Sequence, residues 1–211
     1  MPRKKLLRYN YRMSEDSIIP WLENPHILFP DAKNIVVEIA CGRGEYTVGM
    51  APLQPDVLHV GIDQKGDRIS VGMQKAQALW LQNVRFIYGI VHHMEKRFFP
   101  KSIDALWIIH PDPRPRERDA KRRLTHPRFL TSFEKLLKEG GTIHFKTDAH
   151  DLFKYSCEQL EKMWWECLRQ TNDLHQDPMM LAEHHGIRTH YEKLGVLQGR
   201  SICYGVWRKC V

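Results

Sequence analysis

Five consecutive apolar residues, Ala105 to Ile109, run straight into His-Pro-Asp-Pro, and this junction limits the fold more than any other stretch. A short run without polar interruption suits a strand buried on both faces, the usual state of a parallel strand covered by helices. Pro111 and Pro113 cannot donate to a ladder and hold the chain extended, so the strand must stop there. Asp112 is thereby carried at a strand's carboxyl end, the edge at which open α/β sheets hold ligands. Six of the eleven residues from Pro113 to Arg123 are Arg or Lys. A carboxylate beside a cationic loop suggests chemistry next to a polyanion.

An alternation of strands and helices surrounds this junction. Asn34 to Ala40 is a strand that enters Cys41-Gly42-Arg43-Gly44 and then a helix from about Glu45 to Met50. Glycines at such a turn let backbone amides approach a ligand at the helix N-terminus. Leu58 to Asp63 is a second strand, ending in an acid placed to hydrogen-bond a ribose diol. Glu38 lies inside the apolar first strand, where an unpaired carboxylate is costly, so it needs a donor. A nicotinamide dinucleotide would want a third glycine near Thr47, and Glu38 would repel its phosphates. A cationic nucleoside, S-adenosylmethionine, suits this half-fold better.

Further along, Gly66 to Leu81 has Ile69, Met73, Ala76 and Trp80 on one helical face. Val84 to Gly89 makes a third strand and Ala105 to Ile109 the fourth. Thr125 is placed to cap a helix through Leu137, which Glu139-Gly140-Gly141 would end with a left-handed cap. Thr142 to Lys146 is the fifth strand, with Thr147-Asp148 at its carboxyl end; a helix from Ala149 to Trp165 and a strand from Ser201 to Trp207 come after it. The expected organisation is one α/β domain over 34–211 with a mostly parallel central sheet and helices on both faces. Residues 1–33 are expected to form a basic arm (Arg3, Lys4, Lys5, Arg8, Arg12) and a short helix from Ser14 to Leu22.

Composition narrows the setting. A net charge of +7 favours an acidic partner, nucleic acid ahead of membrane, and no apolar run is long enough to span a bilayer. The cysteines number five, an odd count with no Cys-x-x-Cys pair, and read as reduced thiols of a cytoplasmic protein. The pairs His92-His93 and His184-His185 have no accompanying Cys/His framework, so no metal is expected.

Three blocks then carry a resemblance. Pro111-Asp112-Pro113 with Lys121-Arg122-Arg123-Leu124-Thr125-His126-Pro127-Arg128-Phe129-Leu130 is the most specific. His144-Phe145-Lys146-Thr147-Asp148 with Asp151-Leu152-Phe153 is the second, and Thr189-x-Tyr191-Glu192 followed by Gly199 the third. From about Ile35 to Tyr204 the chain resembles the tRNA (guanine-N7)-methyltransferases, which have the Rossmann-like class I S-adenosylmethionine-dependent fold. The resemblance implies that Glu38, Gly42, Gly44 and Asp63 contact the cofactor and that Asp112 is the active-site acid beside the methyl group. It implies that Arg116 touches substrate and that Arg118, Lys121, Arg122 and Arg123 belong to an RNA-binding loop. Asp148 and the block Thr189, His190, Tyr191, Glu192 would hold the guanine of a tRNA.

The chain departs from the family at Ala40, where glycine is usual, and at Ile90, where an acid binds the adenine. Ile109, His110 and Arg114 replace asparagine, phenylalanine and tryptophan around Pro-Asp-Pro. A second reading is therefore a non-catalytic RNA-binding relative with weakened cofactor affinity. Monomer, homodimer and a partner subunit all stay open.

Overall fold

The computed structural model describes residues 32–209. The basic arm and the expected Ser14–Leu22 helix lie outside the described residues. The chain divides between Phe99 and Pro100 into two compact units.

The first unit holds β1 (Asn34–Ile39), α1 (Glu45–Met50), β2 (Val57–Asp63), α2 (Gly66–Ala78) and β3 (Val84–Tyr88). Its strands lie in the order β3-β2-β1, all parallel. Parallel neighbours require crossovers, which α1 and α2 provide. Ile35, Val37 and Val60 are fully buried, in keeping with strands covered on both faces. The Phe86 ring of β3 packs where a Cβ on Gly44, Gly61 or Gly72 would come within 2.6–2.8 Å of it. Three glycines, one in the turn before α1, one in β2 and one in α2, thus make room for one aromatic ring. Ile69, Met73 and Ala76 are buried on α2 as their spacing predicts. The helix nevertheless stops at Ala78, short of the expected Leu81, and Trp80 is 83% exposed with φ +54°. Trp80 lies past the helix end, so the 3.6-residue period no longer aims it at the core.

The second unit holds β4 (Ile103–Ile109), α3 (Pro127–Leu136), β5 (Leu137–Thr147), α4 (His150–Lys162), β6 (Trp165–Thr171), α5 (Pro178–Ala182), α6 (His190–Leu197) and β7 (Cys203–Lys209). Its strand order is β4-β5-β7-β6, with β4 and β5 parallel and β7 antiparallel to both β5 and β6. Strand β6 was not expected from the sequence, whose helical pattern runs on to Trp165. That helix ends at Lys162, and Trp164 reverses the chain at φ +61°. Most of β6 is exposed, so its sequence lacks the alternation that marks a half-buried strand.

Two caps also differ from expectation. His126, not Thr125, caps α3: its Nδ1 accepts from the Arg128 amide at 3.3 Å, and Pro127 occupies the first turn. Gly140 is left-handed at φ +74° but falls inside β5, after α3 has ended at Leu136. The β4–β5 register jumps from Ile103↔Leu137 to Ala105↔Thr142, so Lys138–Gly141 bulge from the ladder.

A polar and aromatic stack crosses this second sheet. Trp107 lies 4.1 Å from His144, nearly parallel, and His144 Nδ1 meets the Tyr204 hydroxyl at 2.8 Å. Burial holds His144 at a pKa of about 3, so the ring stays neutral and structural.

Candidate active site

In the first unit the turn after β1 is built by backbone handedness. Ala40, Gly42 and Gly44 all have left-handed φ, at +57°, +57° and +64°. Glycine takes this conformation freely, whereas alanine pays for its Cβ. Ala40 therefore strains the turn. Ala40→Gly is expected to raise the unfolding free energy by about 0.5–1 kcal/mol, the relief of the left-handed conformation less the entropy that glycine adds to the unfolded chain. Urea denaturation measures it.

The acid ending β2 fastens this turn. Asp63 Oδ2 accepts from the Gly42 amide at 2.9 Å and Oδ1 from the Lys65 amide at 2.8 Å. A Cβ on Gly42 would meet nothing within 4 Å, so the backbone here borders open space. Glu38 finds the donor its position demands. Its Oε2 accepts from both the amide (2.8 Å) and the hydroxyl (2.5 Å) of Thr47. Burial nevertheless raises the Glu38 pKa from 4.5 to about 7, with the Thr47 bonds opposing that rise. In the sequence Thr47 stands out only as the place of a missing glycine; its partnership with Glu38 comes from the helix geometry.

In the second unit, the His110 amide pairs with the Lys146 carbonyl at 2.8 Å, one residue beyond β4. His110 then turns the chain at φ +45°. Pro111 is buried and Asp112 projects, its side chain 74% exposed and 3.1 Å from Arg114 Nη2. Arg116, Arg118, Lys121 and Arg122 are exposed beyond it, with Arg122 also 3.3 Å from Asp119.

Arg123, expected among the RNA contacts, has partners within the chain. Its Nε donates to the Arg114 carbonyl at 3.2 Å, and its guanidinium lies 4.4 Å above the Tyr155 ring. Two of its five N–H donors and one flat face are thus engaged within the chain.

Asp148 sits just past β5. His110 Nδ1 lies 3.3 Å from its Oδ1, and Arg200 pairs with its Oδ2. The hydrogen bond from His110 is the main cause that lowers the Asp148 pKa. The structure thus gives this acid two protein partners that were not anticipated.

The block Thr189 to Glu192 divides. Thr189 and Glu192 form a reciprocal capping box at the start of α6, a role the Thr-x-x-Glu spacing itself encodes. Glu192 is 1% exposed; its Oε2 accepts from Lys146 Nζ at 2.7 Å, and His175 Nε2 lies 3.2 Å from Oε1. Its carboxylate, expected at the guanine, is engaged inside the fold with Lys146 and His175. Thr189 is likewise buried, whereas His190 and Tyr191 are exposed on the same helix with their rings edge-to-face at 5.7 Å. Among the described residues no cluster of three metal-ligating side chains exists. No helix among them is long and apolar enough to cross a membrane.

Comparison with known proteins bears on the family and the fold. A family model described as "Putative methyltransferase" matches residues 32–204. The tRNA (guanine-N(7)-)-methyltransferase of Cytophaga hutchinsonii is 37% identical over 97% of this chain and 96% of its own. That of Christiangramia forsetii is 35% identical over 87% of this chain and 81% of its own. Among solved structures, the 16S rRNA methyltransferase KamB superposes with a TM-score of 0.65 at 13% identity, covering 86% of this chain and 90% of its own. The antibiotic-resistance methyltransferase Kmr gives 0.61 at 12% identity, covering 89% and 92%. The expected α/β methyltransferase fold is therefore present, with the strands of each unit parallel except for β7. By sequence over nearly its whole length, the chain belongs to the tRNA (guanine-N(7)-)-methyltransferase family.

Proposed function

We infer that the protein transfers a methyl group from S-adenosylmethionine to N7 of a guanine in tRNA, in the cytoplasm. The observation that carries the reading is Asp112, presented by β4 beside a loop of exposed cations in a chain of this family. In a nucleoside, guanine N7 has no proton to lose, and its lone pair attacks the methyl carbon directly. The ring becomes cationic as the bond forms, so a nearby carboxylate lowers the barrier more than a base would. Asp112 is the acid best placed for that work. Arg116, Arg118, Lys121 and Arg122 supply phosphate contacts. His190 and Tyr191 are the exposed members of the block assigned to the base, and Asp148, held by His110 and Arg200, lies beside Gly195 of the same helix.

The cofactor fits the first unit's donor set. S-adenosylmethionine supplies an electrophilic methyl group on a sulfonium. The turn at Gly42 and Gly44 gives it open backbone, Asp63 stands at the strand end, and Glu38 offers a carboxylate suited to a cation. Incubation with tRNA and labelled S-adenosylmethionine, followed by borohydride/aniline cleavage, should give strand scission at one guanine of the variable loop. Label uptake without scission would assign the methyl group to another atom.

Glu38 adds a pH dependence. Its proton is held more tightly folded than unfolded, so its contribution to stability is fullest below pH 4.5 and is lost as pH rises through about 7. Binding of a cation runs the other way, because only the carboxylate attracts it. Affinity for S-adenosylmethionine, read by calorimetry, should rise with pH up to about 7 and level off above it. Glu38→Gln should bind weakly and without that slope. An equal slope in Glu38→Gln would detach the carboxylate from the cofactor.

A further inference from the structure

The cationic loop leaves β4 through Arg114 and Pro115 and returns through Arg123 to Thr125. These two limbs are tied together, and the tie is one side chain. Arg123 Nε donates to the Arg114 carbonyl at 3.2 Å and Nη2 reaches the Pro115 carbonyl at 3.4 Å. One face of the guanidinium rests on Tyr155 of α4, 4.4 Å from the ring centroid. One residue along α4, Ser156 Oγ donates to the Leu152 carbonyl at 2.7 Å, so the 2.7 Å contact with Thr125 must use the Thr125 proton. Both Thr125 and Ser156 are buried. The returning limb is therefore pinned to α4 at two adjacent residues, and from that anchor Arg123 grips the outgoing limb.

We propose that Arg123 and Tyr155 are positioning residues: they latch the neck of the loop, so that Asp112 and Arg114 are presented in fixed geometry while Arg116 to Arg122 meet the RNA. This rests on the methyl-transfer reading, and it separates two cations that are neighbours in sequence. Arg122 is exposed at 66% and binds phosphate; Arg123 is directed inward, onto two carbonyls and a ring. The fork and flat face of a guanidinium suit both tasks at once, which the single ammonium of lysine does not. Arg114 sits at φ +47°, a conformation that its neighbours must hold, and the latch bears directly on its carbonyl.

The test compares Arg122→Ala, Arg123→Ala, Arg123→Lys, Tyr155→Phe and Tyr155→Leu for tRNA affinity against salt, for kcat and for melting temperature. Arg122→Ala should flatten the log–log salt dependence by about 0.9, one phosphate contact. Arg123→Ala should leave that slope unaltered and lower kcat at least about tenfold, as misplacement of a reacting group does. Arg123→Lys should not restore kcat although it keeps the charge. Tyr155→Phe keeps a stacking ring and should match the wild type, whereas Tyr155→Leu should lose kcat with an unchanged slope. The proposal is overturned if Arg123→Ala flattens the slope as much as Arg122→Ala, or if Arg123→Lys restores kcat. If Arg123→Ala does not fold, the two Tyr155 variants decide from the other side of the latch. A wild-type protein without N7 scission would sink the methyl-transfer reading, while the salt slopes would still tell whether Arg123 touches phosphate.

Discussion

Lys146→Met is expected to lower the unfolding free energy by about 3–5 kcal/mol, the cost of leaving one member of a buried ion pair alone. Lys146 is 0% and Glu192 1% exposed, and their 2.7 Å contact joins β5 to α6. Removing the ammonium strands a carboxylate whose other neighbours are His175 and the Thr189 amide, the latter at 3.4 Å. Neither replaces a charge at 2.7 Å. The same reasoning predicts partial recovery when both members are made apolar, since the desolvation penalty of the two ions vanishes with them. Lys146→Met/Glu192→Leu should therefore unfold at a higher urea concentration than Lys146→Met alone. If the double variant is no more stable than the single one, the cost lies in packing or in the Thr189 capping box and not in the stranded charge.

That pair also shows where the sequence stops being readable. Lys146 was legible as a strand residue and Glu192 as part of a motif, but nothing in their spacing joins positions 46 residues apart. Long-range polar pairing is a property of the packed sheet. The parallel strands were legible because burial on both faces writes itself as an unbroken apolar run, as in Ile35–Val37 and Ala105–Ile109. Edge strand β6 was not, since its exposed residues carry no such signature. Asp63 and Asp112 were locatable because each stands at the end of an apolar strand: as the acid that closes Leu58–Asp63 in one case, between two prolines in the other. Their partners were not. The Gly42 amide on Asp63 and the Arg114 guanidinium on Asp112 depend on turn geometry at Ala40, Gly42 and Arg114, all left-handed. Handedness can be guessed for glycine alone; alanine and arginine give no hint of it.

Asp112→Asn is expected to lower turnover by about 10²–10³, the range found when one preorganised stabiliser of transition-state charge is removed. Among the described residues this carboxylate is largely exposed and pairs with Arg114, itself 37% exposed. Water and a guanidinium screen it there, so its removal should change stability little and tRNA affinity by no more than about fivefold, the scale of an exposed ion pair. Its effect should emerge when a base covers the strand end and displaces water, because the same charge then acts through a lower dielectric on a ring turning cationic. Asparagine keeps the shape and the hydrogen-bond acceptor but not the charge, and so isolates that electrostatic contribution. Single-turnover rates and binding constants measured on the same tRNA separate the two quantities. A drop in affinity as large as the drop in rate would make Asp112 a tRNA contact rather than a stabiliser of the methylated ring.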